Sequence, residues 1–279
     1  MPCPVAFHLC GRKTLAVKVP DNPQLVFTEM LQYIFTSRAE SPKATALMKG
    51  YLVASKQDLR ASKILYRRHI FALATYHLQQ CVEKATKAFV LGTGMATVEE
   101  VRDIGHDSLK GHLLYATKLS RFLPELGKID PVLNLDLSKI EEMEAKRLEI
   151  ARWSGAEVGG ALSTFHAVDK ALVSIVPQMV ELALKVVLPQ LKDIQGARGL
   201  KLGARDTRRI VRKAVPLLRA PQFLFVASLL TFPHEAFTRY PNGAIGPEDY
   251  NKSTGIVVHA PELMRGMDKA IRALWQLWM

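Results

Sequence analysis

The chain has 279 residues, 48% of them hydrophobic, and a net charge of +12. This composition is typical of a globular protein and excludes a disordered chain. Cys3, Cys10 and Cys81 are too few and too scattered for a disulfide framework, so we expect a reducing, cytoplasmic setting. The positive charge favours acidic partners, of which nucleic acid is the commonest. With no apolar stretch suited to crossing a bilayer and no signal peptide, we expect no membrane association.

Residues 43–68 show the clearest helical period in the chain. The spacing of Ala44, Leu59, Ser62 and similar residues places them on one face of this helix. The opposite face is basic, and we interpret it either as an ordinary solvated surface or as a track for phosphate groups. It carries Lys49, Lys56, Arg60, Lys63 and Arg67.

A second helix is predicted from His69 to Leu91. Residues spaced three and four apart form one face, and several of them are small, such as Ala74, Cys81 and Ala85. Small residues allow a neighbouring helix to approach closely. Gly92 and the glycine that follows it at position 94 are expected to end the helix. The pattern indicates the core helix of a bundle.

His106 and Asp107 open the next predicted helix. Asp107 is well placed to cap it, because a carboxylate accepts the free amide hydrogens of a first helical turn. The simplest interpretation of this pair is a cap beside a packed imidazole. The alternative is catalysis, for which Arg102 and His106 are the candidates.

Four short motifs follow one another along the chain, and together they resemble the HEPN family of all-helical proteins over about half of the sequence. They are Asp58-Leu59-Arg60-Ala61, His77-Leu78-Gln79-Gln80 with Glu83-Lys84 and Lys87-Ala88, His106-Asp107, and Arg239-Tyr240-Pro241. The resemblance implies an all-α, up-and-down helical bundle with inserted additional helices. It also implies that a last helix, here Glu262 to Trp278, packs back on the first two.

The domain organisation expected from this resemblance is discontinuous. Residues 1–42 form an N-terminal arm and helix, residues 43–125 and 220–279 form the HEPN-like bundle, and residues 126–219 form a helical insertion. Within the insertion, Ser154 and Glu157 have the spacing of a capping box. An apolar helix with a bend near Pro233 is expected at 221–237.

The insertion ends in a second basic segment. Residues 198–219 contain eight basic residues and one acidic residue. Four arginines share a helical face, and arginine favours bidentate contacts with phosphate, so this face is a second candidate for nucleic-acid binding. The four are Arg205, Arg208, Arg209 and Arg212. Arg239 is a further candidate contact for RNA or a nucleotide.

The resemblance also bears on activity. Some HEPN proteins are metal-independent ribonucleases of toxin–antitoxin or defence systems, in which four to six residues separate an arginine from the histidine that follows it. Many dimerise or act beside a small nucleotidyltransferase. No arginine of this chain has a histidine at that distance, and Arg102 and His106 are one residue too close. We therefore expect a non-catalytic protein, a homodimer, that binds RNA or a nucleotide and acts with a nucleotidyltransferase-type partner.

Two alternatives remain. One is a metal-independent ribonuclease whose site is displaced, built from Arg102 and His106 or from side chains that converge from separate helices, namely Arg239, His77, His106 and His234. The other is a helical protein-interaction scaffold. Neither a cofactor nor a metal site is expected, because the Cys3, His8 and Cys10 cluster has no second group to complete a four-ligand set.

Overall fold

The computed structural model describes residues 42–122, 145–167, 170, 219–240 and 245–279. Within these ranges the regular structure is helical and contains no strand. The helices, in chain order, are α1 Pro42–Arg67, α2 Phe71–Gly92, α3 Val98–Asp103, α4 Ser108–Phe122, α5 Arg147–Ala151, α6 at 155–167, α7 at 219–231, α8 His234–Phe237 and α9 Gly255–Trp278. The expected all-α fold is confirmed.

The first two helices form an antiparallel hairpin with very close packing. They are joined by a short turn in which His69 takes a left-handed φ of 60°. Two buried serines of α1 reach the backbone of α2: Ser55 Oγ donates to Cys81 O at 2.8 Å, and Ser62 Oγ donates to Ala74 O at 2.7 Å. Such bonds need backbones in close approach, which the small side chains predicted for this face permit.

The second helix is the centre of the fold. Seventeen of its 22 residues are buried, because α1, α4, α8 and α9 all pack on it. Gly92 is its last residue, and Gly94 takes a φ of 68°, which glycine adopts without strain. A Cβ at Gly92 would lie only 2.7 Å from the Trp278 ring, so glycine is also required there for packing.

The predicted start of the last helix at Glu262 is wrong, because α9 begins seven residues earlier at Gly255. Pro261 lies inside the helix, where proline removes a hydrogen bond and costs roughly 3 kcal/mol. The first turns bury Ile256 and Val257 in the core, and this burial offsets the cost. Packing in the core therefore accompanies a helix that begins before the predicted boundary.

Several local predictions agree with the structure. Asp107 Oδ1 accepts the Leu109 N–H at 2.9 Å and caps α4. Ser154 and Glu157 form the expected capping box at the start of α6. The bend at Pro233 separates α7 from α8. The predicted N-terminal arm and helix at 1–42 lie, apart from Pro42, outside the described residues, and the domain boundaries stay predictions.

We predict that Gly266→Ala destabilises the protein while Gly50→Ala stabilises it. A Cβ at Gly266 of α9 would lie 2.0 Å from the Phe223 ring of α7, whereas one at Gly50 on the exposed side of α1 meets nothing within 4 Å. Overpacking should lower the free energy of unfolding by about 1–3 kcal/mol. Relief of the helix cost of glycine should raise it by about 0.5–1 kcal/mol. Urea denaturation of the two variants checks both signs, and equal stabilities would contradict the packing described here.

Candidate functional site

A buried cluster of polar side chains lies on α2, within the core of the bundle. Gln79, Gln80, Glu83 and Lys87 are all buried. The Glu83 carboxylate is at the centre: it accepts from Lys87 Nζ at 2.7 Å and from Gln80 Nε2 at 3.2 Å. The Gln80 amide also donates to Gln79 Oε1 at 2.7 Å. A buried carboxylate needs such partners, because an unpaired charge in the core is strongly unfavourable.

The same cluster fixes the loop that precedes α4. Lys87 Nζ donates to the Gly105 carbonyl, and Gln79 Nε2 donates to the His106 carbonyl at 3.3 Å. Gly105 has a φ of 61°, a left-handed conformation that favours glycine. The position of this loop therefore depends on side chains of α2 that are 18 and 27 residues away in sequence.

His106 is exposed, so the expectation of a packed imidazole is wrong. Its side chain is 66% exposed, while Nδ1 lies 3.2 Å from Oε2 of the buried Glu83. An imidazole whose Nδ1–H donates to a carboxylate presents Nε2 as a proton acceptor, which is the arrangement of a general base. Arg102 is exposed and makes no side-chain hydrogen bond or ion pair within the described ranges, so the structure does not join the two predicted catalytic residues.

The acidic residue of α1 is turned inwards. Asp58, the one acidic side chain in this helix, lies 2.9 Å from His77 Nδ1 and also pairs with Lys84, both on α2. His77, a candidate for a displaced site, is thus engaged with Asp58. The outward face of α1 is left with positive charge and no carboxylate of its own.

The predicted basic face of α1 is at the surface. Lys49, Lys56, Arg60 and Arg67 are exposed, and the half-exposed Lys63 lies 3.8 Å from Asp268 of α9. These residues follow one side of the helix, as their spacing predicts. Their role in contacting phosphate stays a prediction.

A shallow groove of about 190 Å³ runs between α1 and α9 beside this face. Lys56 Nζ lies 5.4 Å from the centroid of the Trp275 ring, at a distance typical of a cation–π contact. Arg272 lines the same groove and pairs with Asp268. The groove therefore combines two cations with a partly exposed aromatic ring.

Arg239 lies at a second surface location. Its guanidinium is 5.3 Å from the Tyr76 ring of α2 and 5.2 Å from the Tyr240 ring, and it donates to Glu235 Oε1 at 2.7 Å. The other oxygen of Glu235 is 3.4 Å from Arg147 of α5. Arg239 is thus held by α2 and α8, not by the basic face of α1.

Two imidazoles are fully buried and belong to the core. Burial lowers the pKa of His112 and of His234 to about 3, so both are neutral at pH 7. His112 Nε2 lies 3.2 Å from Ser228 Oγ, and His234 Nδ1 lies 2.7 Å from the Tyr250 hydroxyl. His234, a candidate for a displaced catalytic site, is closed to solvent.

The second basic segment and its four arginines lie outside the described residues, so their shared face stays a prediction. They are Arg205, Arg208, Arg209 and Arg212. Within the described ranges no three side chains of His, Cys, Asp or Glu are grouped as metal ligands. None of the described helices is long and apolar enough to cross a membrane.

The family comparison agrees with the motifs of α1, α2 and α4. Residues 48–149 match the model of the HEPN domain. The resemblance read from the sequence is thereby confirmed over just over a third of the chain. This match extends past residue 125, the predicted end of the first part of the bundle. No curated protein and no solved structure matches the chain.

A HEPN domain supports a nucleotide- or RNA-related function in general terms. The sequence prediction nevertheless missed the buried polar cluster around Glu83, since the Glu83–Lys87 pair has the spacing of an ordinary surface ion pair. The sequence did contain a signal: the apolar residues of α2 occupy nearly every side of the helix, which indicates a fully buried helix. Tyr76 and Trp275 were also missed, because only the tertiary structure places them beside Arg239 and Lys56.

We predict that Lys87→Met destabilises the protein by about 3–5 kcal/mol, since it leaves the buried Glu83 carboxylate without its cation. Lys84→Met is the matched control, because Lys84 is only partly buried and its partner Asp58 keeps His77. The free energy of unfolding of each variant provides the comparison. Adding Glu83→Gln to Lys87→Met should recover part of the lost free energy of unfolding. Equal stabilities for the two lysine variants would contradict the role of Lys87 as the cation that pairs with the buried Glu83.

Proposed function

We propose that this HEPN-type protein binds RNA or a nucleotide through the outward face of α1 and acts with a partner protein, without catalysis of its own. The observation that carries the proposal is the separation of charge on α1. Its basic side chains are exposed, while its acidic residue, Asp58, is paired with His77 and Lys84 on α2. The HEPN domain match supports the same class of ligand.

The dimensions of this face suit a phosphate backbone. At 1.5 Å per residue, the helix places Lys49 and Arg67 about 27 Å apart along its axis. A nucleic-acid strand carries one charge per nucleotide, and several phosphates would therefore lie along this length. The Lys56–Trp275 groove adds a partly exposed ring on which a base can stack.

The proposal includes a homodimer and a nucleotidyltransferase-type partner in a toxin–antitoxin or defence setting, as the HEPN resemblance implies. An apolar patch at the α1–α2 turn supports a protein contact. Ile64, Ile70 and Leu73 are each 44–50% exposed there. Large apolar side chains grouped at a surface are typical of interaction sites.

We predict that the triple variant Lys49→Glu, Arg60→Glu, Arg67→Glu loses salt-sensitive RNA binding. Each lost phosphate contact should reduce the slope of log affinity against log salt by about one, so the triple variant should lose about three. Filter retention of labelled RNA over a salt series measures this slope. The control reverses three exposed charges elsewhere, at Lys110, Lys170 and Lys252. Equal losses in the two variants would remove α1 from the proposal.

A second candidate function is RNA cleavage, favoured by the exposed His106 imidazole held by Glu83. Here chelator-resistant cleavage of labelled RNA should occur and should be lost in His106→Ala. The control is His69→Asn, another exposed histidine, whose left-handed φ asparagine tolerates. Our first proposal predicts intact RNA that is retained at low salt and released at moderate salt. Neither cleavage nor retention would favour the scaffold function.

A further inference from the structure

Tyr240 presents an aromatic ring at the surface, directly after Arg239. Its side chain is among the most exposed large apolar groups described, at 62%. The Arg239 guanidinium lies 5.2 Å from the centroid of this ring and 5.3 Å from that of Tyr76. Arg239 is therefore shared between two tyrosines, one belonging to the core helix α2 and one open to solvent.

The arginine is fixed before any ligand arrives. Glu235 accepts from it at 2.7 Å, and Arg147 holds the other carboxylate oxygen of Glu235 at 3.4 Å. Arg147 is itself anchored by the carbonyl of Phe232, 3.2 Å from its guanidinium. A side chain ordered in this way loses little conformational freedom on binding, which favours affinity.

The charge at this location suits an anion. The two guanidinium groups, of Arg147 and Arg239, face a single carboxylate, that of Glu235, so the group keeps a net positive charge. The hydrogen bond to Glu235 uses only part of the donor capacity of Arg239, which has five N–H groups in total. Ring surface and spare donors thus lie side by side.

We propose that Tyr240 and Arg239 form a stacking site for an unpaired nucleobase and its phosphate. A base stacks on the exposed ring of Tyr240, and Arg239 contacts the adjacent phosphate. This inference rests on the proposed RNA-binding function and specifies the ligand further, as single-stranded RNA. Paired bases in a duplex are already stacked on one another and offer no free face to a tyrosine.

The test compares Tyr240→Ala with Tyr240→Phe in the full chain. Fluorescence anisotropy would measure binding of a labelled single-stranded RNA of about ten nucleotides, and of the duplex formed with its complement. Tyr240→Ala should weaken single-strand binding about tenfold, the effect of losing one stacked base, and should leave duplex binding unchanged. Tyr240→Phe keeps the ring and should bind like the unaltered protein.

Three results would overturn the stacking site. They are unchanged single-strand binding in Tyr240→Ala, an equal loss for the duplex, and an equal loss in Tyr240→Phe. The melting temperature of Tyr240→Ala is expected to be unaltered, because the ring is mostly exposed. This control shows that a loss of binding is not caused by unfolding. Free AMP would be added as a competitor of the labelled oligonucleotide. If AMP displaced the oligonucleotide, the ligand of this site would be a free nucleotide, and the proposal of an RNA ligand would be overturned.

The two proposals can fail separately. If the unaltered protein retains no RNA at low salt, the proposed function and the stacking site both fall. If charge reversal on α1 abolishes binding while Tyr240→Ala binds normally, the function stands and the stacking site alone is wrong. A protein partner that is captured only when Tyr240 is present, with no RNA bound, would also overturn the stacking site.

Discussion

Much of this bundle depends on the pairing of the buried Glu83 carboxylate with its neighbours. It lies on a helix that is covered by other helices, where a charge is tolerated only if its partners are in place. Lys87 and Gln80 supply two of them from the same helix. The ammonium of Lys87 in turn needs further acceptors, and it finds one in the carbonyl of Gly105. The side chains around a single buried charge thus fix the Gly105–His106 backbone that precedes α4.

The second electrostatic feature is the orientation of Asp58. By pairing with His77 and Lys84, it stabilises the α1–α2 hairpin and removes a negative charge from the surface. Both effects follow from one position in the sequence. The exposed side of α1 consequently keeps a net positive field, with Asp268 of α9 facing Lys63 at 3.8 Å. Such a field raises the local concentration of anionic ligands and is weakened by salt.

The parts of the structure that the sequence predicted are those that depend on near neighbours along the chain. The two long helices follow from hydrophobic spacing, and the Asp107 cap from the chemistry of a first helical turn. The predicted start of α9 was wrong. Burial of Ile256 and Val257 outweighs the cost of a proline inside the helix, and no local sequence pattern reports burial.

The candidate site was harder to predict for the same reason. Spacing identified the basic residues of α1 but not the partners that distinguish them, such as Trp275 beside Lys56. His106 was recognised as a candidate catalytic residue, but the exposure of its side chain depends on the tertiary structure and could not be predicted. Arg239 and Tyr76 are separated by more than 160 residues, and only the packing of α8 on α2 brings them together.

The bare charge of α1 also has a consequence for how copies of this chain can assemble. Two copies that met through this helix would bring Lys49, Arg60 and Arg67 of each against the same residues of the other, with no carboxylate of α1 between them. Like charges in a buried interface disfavour association. Association of two copies is therefore favoured through a surface other than this one, which leaves the basic face of each copy accessible to a ligand.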